Sequence, residues 1–114
     1  MAVPPPISVL LPVRDGAAHI SEAIVSIEAQ TFTEYEVIAV DDGSTDDSWI
    51  LLQEWADRDE RVKVFKQSPQ GIVPALEHAR REAAGPYLAR MDADDVSESA
   101  RFELQLELME SDSS

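Results

Sequence analysis

The chain has 114 residues, enough for one domain with a real core and too few for two. It carries 23 acidic against 9 basic residues, a formal net charge of -14, which argues against binding nucleic acid or an anionic membrane surface. With no cysteine, it is excluded from disulfide frameworks and thiolate metal sites.

The start, Met1-Ala2-Val3-Pro4-Pro5-Pro6, has neither the basic region nor the long apolar run of a secretory signal. Residues 1–6 read instead as an extended proline-rich arm. Ile7-Ser8-Val9-Leu10-Leu11 reads as a buried strand closed by Pro12, and Val13-Arg14-Asp15-Gly16 as a loop. Residues 19–30 carry Ile20, Ala23, Ile24 and Ile27 at helical spacing. Val37-Ile38-Ala39-Val40 is a second strand, ending in Asp41-Asp42-Gly43-Ser44-Thr45-Asp46. Asp46 is placed to cap a helix over about 47–57, with Trp49, Leu52 and Ala56 turned inward.

Val62-Lys63-Val64-Phe65 forms a third short strand and residues 67–71 a loop. A third helix over about 72–84 has Pro74 in its first turn, an inner stripe of Ile72, Leu76, Ala79 and Ala83, and an outer Glu77–Arg81 pair. Gly85-Pro86 stops it, and residues 87–91 make a fourth strand. Residues 102–110 fit both strand and helix periodicities. They are read as helix because they are rich in Leu, Glu and Gln and hold no β-branched residue. The domain is thus expected over 7–110, with 111–114 a tail or a truncation point. No stretch approaches the roughly 20 apolar residues of a membrane span. A soluble, cytoplasmic domain is expected, with any membrane association left to other regions.

Apolar strands alternating with helices imply a mainly parallel α/β sheet, whose ligands bind beyond the carboxyl ends of the strands. Three strand exits would then share one rim: Pro12-Val13-Arg14-Asp15, Asp41-Asp42-Gly43-Ser44 and Asp92-Ala93-Asp94-Asp95. Three carboxylates within four residues in the last exit suit a divalent cation bridged to phosphate, or a solvated turn. Neither Gly-x-Gly-x-x-Gly nor a Walker-type loop is present. The calcium-hand pattern from Asp92 fails at Val96 and Ser97.

The ordered set of residues 7–12, Glu28-Ala29-Gln30-Thr31-Phe32, residues 40–46 and residues 86–95 resembles the N-terminal, nucleotide-sugar-binding part of family 2 glycosyltransferases. The resemblance implies a Rossmann-like GT-A fold, with a mainly parallel sheet and flanking helices. It implies that Pro12, Val13, Arg14 and Asp15 line the nucleotide pocket. Asp42 would accept the ring N–H of the base, with Asp41 beside it. A carboxylate only accepts and the N3–H of uracil or thymine only donates, so a UDP-sugar is the expected donor. By the same resemblance, Asp92-Ala93-Asp94 matches the family's Asp-x-Asp motif. Asp94 would hold Mg2+ or Mn2+ on the diphosphate, and Asp92 would lie nearer the ribose or the metal's water shell.

The implied reaction is inverting transfer of the sugar to an acceptor hydroxyl, as in cell wall or polysaccharide biosynthesis. The acceptor, a saccharide or a lipid, is not identified. The family's general base lies well downstream, and only 20 residues follow Asp94. Glu98 and Glu103 belong to the connection and helix after the motif, so the chain reads as a donor-binding part, not expected to transfer alone. Ala75-Leu76-Glu77-His78-Ala79-Arg80 departs from the family's small-residue, Asn-rich stretch. Two alternatives stand beside this reading. One is a non-catalytic nucleotide-binding module; the other is a haloacid dehalogenase-type phosphatase with Asp92 as nucleophile. Arg90 is expected as an outward salt-bridge partner, His78 as a surface residue, His19 as a helix-boundary residue, and Trp49, Trp55 and Phe65 as core.

Overall fold

The structure is a computed structural model and describes residues 5–91. Its elements alternate: β1 (Ile7–Val13), α1 (Ala17–Glu28), β2 (Tyr35–Asp42), α2 (Ser48–Arg58), β3 (Val62–Gln67), α3 (Ile72–Glu82) and β4 (Tyr87–Arg90). The strands form one parallel sheet in the order β3-β2-β1-β4, as the alternating pattern predicts. The expected helix over 102–110 and the tail lie outside the described residues.

Pairing lengthens three of the expected elements. β1 continues through Pro12 to Val13, because both residues lie in register with β2, opposite Val40 and Asp41. Proline is tolerated there for a reason the backbone supplies. Pro6 and Leu10 turn their carbonyls towards β4, accepting from Tyr87 and Met91. Every second residue of β1 therefore faces β4, and Pro12 withholds its missing donor on that side, past the last pair of Leu10 with Arg90. β2 runs on through both acids to Asp42, and β3 through to Gln67, which is the register partner of Asp42.

Side chains alternate across the sheet. Ile7, Val9, Leu11, Val13, Val37 and Ala39 face α1 and α2, where Ile20, Ile24, Ile27, Leu52 and Trp55 complete the larger core. Leu10, Ile38 and Val40 face α3. Two helical stripes differ from expectation. In α2 the buried positions are Ser48, Leu52 and Trp55, while Trp49 is half-buried and lies under the Lys66 ammonium, 5.5 Å from its ring centroid. In α3 the buried positions are Ala75 and Ala79, and Ile72 is 49% exposed. Alanines let α3 lie close over the sheet, and that turns the larger Ile72 out to the rim. Glu77 pairs with Arg80 rather than Arg81, at 2.9 Å, and both side chains are largely exposed, so the pair contributes little.

Candidate functional site

The parallel sheet brings the β1 and β2 exits to one rim. β4 runs towards the same rim and ends at Arg90, two residues before Asp92. Asp92, Ala93, Asp94 and Asp95 themselves lie outside the described residues. Among the described residues, no group of three or more His, Asp or Glu side chains is placed to hold a metal.

At the rim lies an open cleft of about 430 Å³. It is lined by Pro12, Val13, Arg14 and Asp15 from the first exit, by Asp42 from the second, and by Gly71, Ile72 and Ala75 at the start of α3. Five of the expected nucleotide-binding residues thus share one concavity. Asp41 is not among its lining residues. Because consecutive strand residues point to opposite faces, the two acids part company. Asp41 is fully buried and accepts from the backbone N–H of Ser44 at 3.3 Å and, at short range, from the Ser44 hydroxyl. Asp42 turns to the α3 side.

Asp42 is held by three donors. It is 3% exposed. Its Oδ1 accepts from Gln67 Nε2 at 2.9 Å and from the Gln70 N–H at 2.8 Å, and its Oδ2 from the Gly71 N–H at 2.9 Å. Burial pushes its carboxyl up, but these three hydrogen bonds and the nearby Arg14 guanidinium outweigh burial and hold it below the usual aspartate range. Asp42 is therefore a charged acceptor at neutral pH. A carboxylate offers about four acceptor positions. Three are taken, and the one left belongs to Oδ2.

The loops around it are stitched together by side chains rather than by ladder bonds. Asp15, at a positive φ of 50°, accepts through Oδ1 from the Thr45 N–H at 2.6 Å and its hydroxyl at 3.1 Å. The Asp15 and Gly16 N–H groups donate to the Ser44 and Ser48 hydroxyls, each at 2.9 Å. The N-cap position of α2 falls to Asp47, not Asp46, yet Asp46 supplies the capping bond, accepting from the Ser48 N–H at 2.9 Å. It also accepts from the Ala17 N–H at 3.1 Å, which ties the start of α1 to α2. Asp46 is held low by the Ser48 hydroxyl first, against burial, and by these N–H groups.

Sequence reasoning missed Gly16, His19, Gly71, Ile72 and Ala75 as lining residues. Gly71 carried a usable signal. It stands directly before a helix, and its φ of 104° is open to glycine and costly for other residues. His78 is also misread by the sequence, since it is half-buried and faces Gln67.

Fold and cleft together define a Rossmann-like α/β domain with a ligand site beyond the carboxyl ends of its strands. A family model for Glycosyl transferase family 2 matches residues 8–114, and the chain belongs to that family. It is 34% identical over 106 residues to an uncharacterised glycosyltransferase of Haemophilus influenzae, covering 92% of this chain and 42% of that protein. TarS of S. aureus, solved in complex with UDP, has the same fold, with a TM-score of 0.84 over 92% of this chain and 32% of that one, at 24% identity. A mannosyltransferase of Pyrobaculum calidifontis, solved with GDP-Man and Mn2+, gives a TM-score of 0.72 at 28% identity, over 81% of this chain and 28% of that one. The expected GT-A fold is therefore present. The chain spans less than half the length of curated relatives it matches, 42% of one and 17% of another. Family membership sets the phosphatase alternative aside. No helix among the described residues is long and apolar enough to cross a membrane.

Proposed function

We propose that the cleft binds the nucleotide of a UDP-sugar and that this domain serves inverting transfer of the sugar to an acceptor hydroxyl. The observation that carries the reading is Asp42: an ionised carboxylate on the cleft wall with one acceptor position to spare. Uracil presents a single N3–H donor and needs one such position. Guanine would present its N1–H and N2–H side by side and would ask for two. The Pyrobaculum neighbour is solved with GDP-Man and the TarS structure with UDP, and the single free position on Asp42 supports uracil over guanine for this chain.

Arg14, exposed on the cleft wall, supplies positive charge for the diphosphate. Pro12, Val13 and Asp15 shape the pocket, and Asp41 supports Asp42 from the adjacent strand position by fixing the turn at Ser44. Asp94, with Asp92, holds a divalent cation, Mg2+ or Mn2+. When bound, the metal would neutralise charge on the departing diphosphate. Ala93, between the two acids of the motif, is assigned to the nucleotide by the family resemblance alone. The domain spans 7–110, and the acceptor-binding half and general base lie in the part by which relatives exceed this chain. The domain alone is then a donor binder without transferase turnover.

Calorimetric titration of UDP in the presence of Mn2+ tests the reading. Asp42→Ala should weaken UDP binding at least about tenfold, the scale of one hydrogen bond to a charged group. Asp94→Ala should remove the part of the affinity that EDTA removes from the wild type. GDP should bind more weakly than UDP. Equal affinities of wild type and both variants for UDP would overturn the proposal.

A further inference from the structure

We propose that His78 is a positioning residue for Asp42, acting through the side-chain amide of Gln67. The inference rests on the base-recognition reading of Asp42 and adds a residue that its resemblance to the family does not supply.

Backbone N–H groups only donate, so the Gln70 and Gly71 N–H groups fix the Asp42 carboxylate as the acceptor. The Gln67 amide must then present its NH2 to Asp42, 2.9 Å from Oδ1. That turns its carbonyl oxygen the other way, where it meets His78 Nδ1 at 3.1 Å. A carbonyl only accepts, so Nδ1 must carry a hydrogen. Both the Nδ1–H neutral tautomer and the imidazolium satisfy this, and only the Nε2–H tautomer is excluded.

The imidazole is itself held in place. Strand alternation puts Phe65 and Gln67 on the same face of β3, the face that α3 covers. The Phe65 ring packs on His78 with centroids 5.3 Å apart and planes tilted by 49°. α3 thus delivers an imidazole to the outer side of the Gln67 amide, while the residues just before the helix bring the Gln70 and Gly71 N–H groups to Asp42 on the inner side. Without His78, the amide is free to flip its oxygen towards Asp42, which repels, or to swing into water. Oδ1 would then keep only the Gln70 N–H. With one donor left on each oxygen, from Gln70 and Gly71, the carboxylate would lose one of its three fixed partners and the open position on Oδ2 would be aimed less sharply into the cleft.

The test compares UDP binding, with Mn2+, in the wild type, His78→Leu, His78→Asn, Gln67→Leu, the His78→Leu/Gln67→Leu pair and Asp42→Ala. The Asn side-chain NH2 occupies the place of Nδ1 and preserves the donor. His78→Leu should weaken UDP binding about fivefold or more, His78→Asn should stay within about twofold, and the double variant should lose no more than Gln67→Leu alone. Long-range nitrogen–proton spectra of the unliganded wild type should show His78 protonated at Nδ1. A dominant Nε2–H tautomer overturns the proposal. So does a loss in His78→Asn equal to that in His78→Leu, which would mark a packing role against Phe65. Unchanged binding in His78→Leu, with binding lost in Asp42→Ala, overturns the relay alone. Unchanged binding in Asp42→Ala overturns the base-recognition reading and the relay with it.

Discussion

Gly43→Ala should destabilise the fold by about 3 kcal/mol and lower its thermal midpoint by about 15 °C, for a domain of this size. Two separate costs combine. Gly43 sits at φ 72°, the left-handed region, where a Cβ costs about 1 kcal/mol. A Cβ built there would also stand 2.3 Å from Pro69 Cγ and 2.5 Å from Cδ, with the Pro69 nitrogen at 2.9 Å. The proline ring cannot swing away as a flexible side chain would, so the loop before α3 must move. That loop carries the Gln70 and Gly71 N–H groups that hold Asp42. The variant should therefore lose UDP affinity as well as stability. Urea denaturation of Gly43→Ala, Pro69→Ala and the double variant separates the two costs. Removing the ring should recover about 2 kcal/mol of the Gly43→Ala penalty and leave the backbone part. Strictly additive penalties would show that Pro69 is not the obstacle.

The same loop shows what the sequence could and could not say about the site. The strands were legible because parallel strands buried on both faces read as apolar runs, with Gly43 after the second and Gly85-Pro86 before the fourth marking boundaries, whereas Pro12 lies inside β1 and did not mark its end. Asp42 was legible through family resemblance. Its separation from Asp41 was not, because the second strand was expected to stop at Val40, which leaves both acids in a loop with no defined face. Pairing with Val13 and Gln67 extends the strand and sends the two carboxylates to opposite sides. Gln67 was hidden for the same reason: as a loop residue it had no register, whereas as the partner of Asp42 it sets its amide against a carboxylate. The stripe of α3 was legible at Ala79, and at Leu76 and Ala83, which pack against the same core, and was misplaced in the first turn, where the close approach of helix to sheet buries Ala75 and frees Ile72 to line the cleft.

At the opposite end of the sheet, Glu36→Gln should cost about 3 kcal/mol at pH 7 and progressively less as the pH falls below about 4.5. Glu36 is 4% exposed, on the α3 face. Its Oε2 accepts from the Ser8 hydroxyl and from the Ala84 N–H, both at 2.6 Å, and Ser8 accepts in turn from the Gly85 N–H at 2.8 Å. Lys63 reaches Oε1 at 3.3 Å, but its side chain is 53% exposed and adds little. The carboxylate thus latches the link between α3 and β4 beneath the strands, and Gly85 is needed there because a Cβ would meet the Pro5 carbonyl at 2.7 Å. A glutamine could turn its one oxygen to both Ser8 and Ala84 but only as a neutral acceptor, and would set its NH2 against the Lys63 ammonium, so the charge that strengthens two buried bonds is lost, at about 1.5–3 kcal/mol for hydrogen bonds to a charged group. Burial pushes the Glu36 carboxyl up, but Ser8, Ala84 and Lys63 hold it below the ordinary glutamate range. A carboxyl depressed in the folded state contributes its full stability above its unfolded value, about 4.5, and loses it as pH falls through the folded value. Asp42, Asp46 and Asp59 are depressed too, so both proteins should weaken in acid. Only the difference between them isolates Glu36. In urea denaturation at a series of pH values, that difference should be flat above about pH 5.5 and shrink steadily as the pH falls below about 4.5. A difference that persists unchanged at pH 3 would mean that shape at this position, and not charge, holds the link into β4.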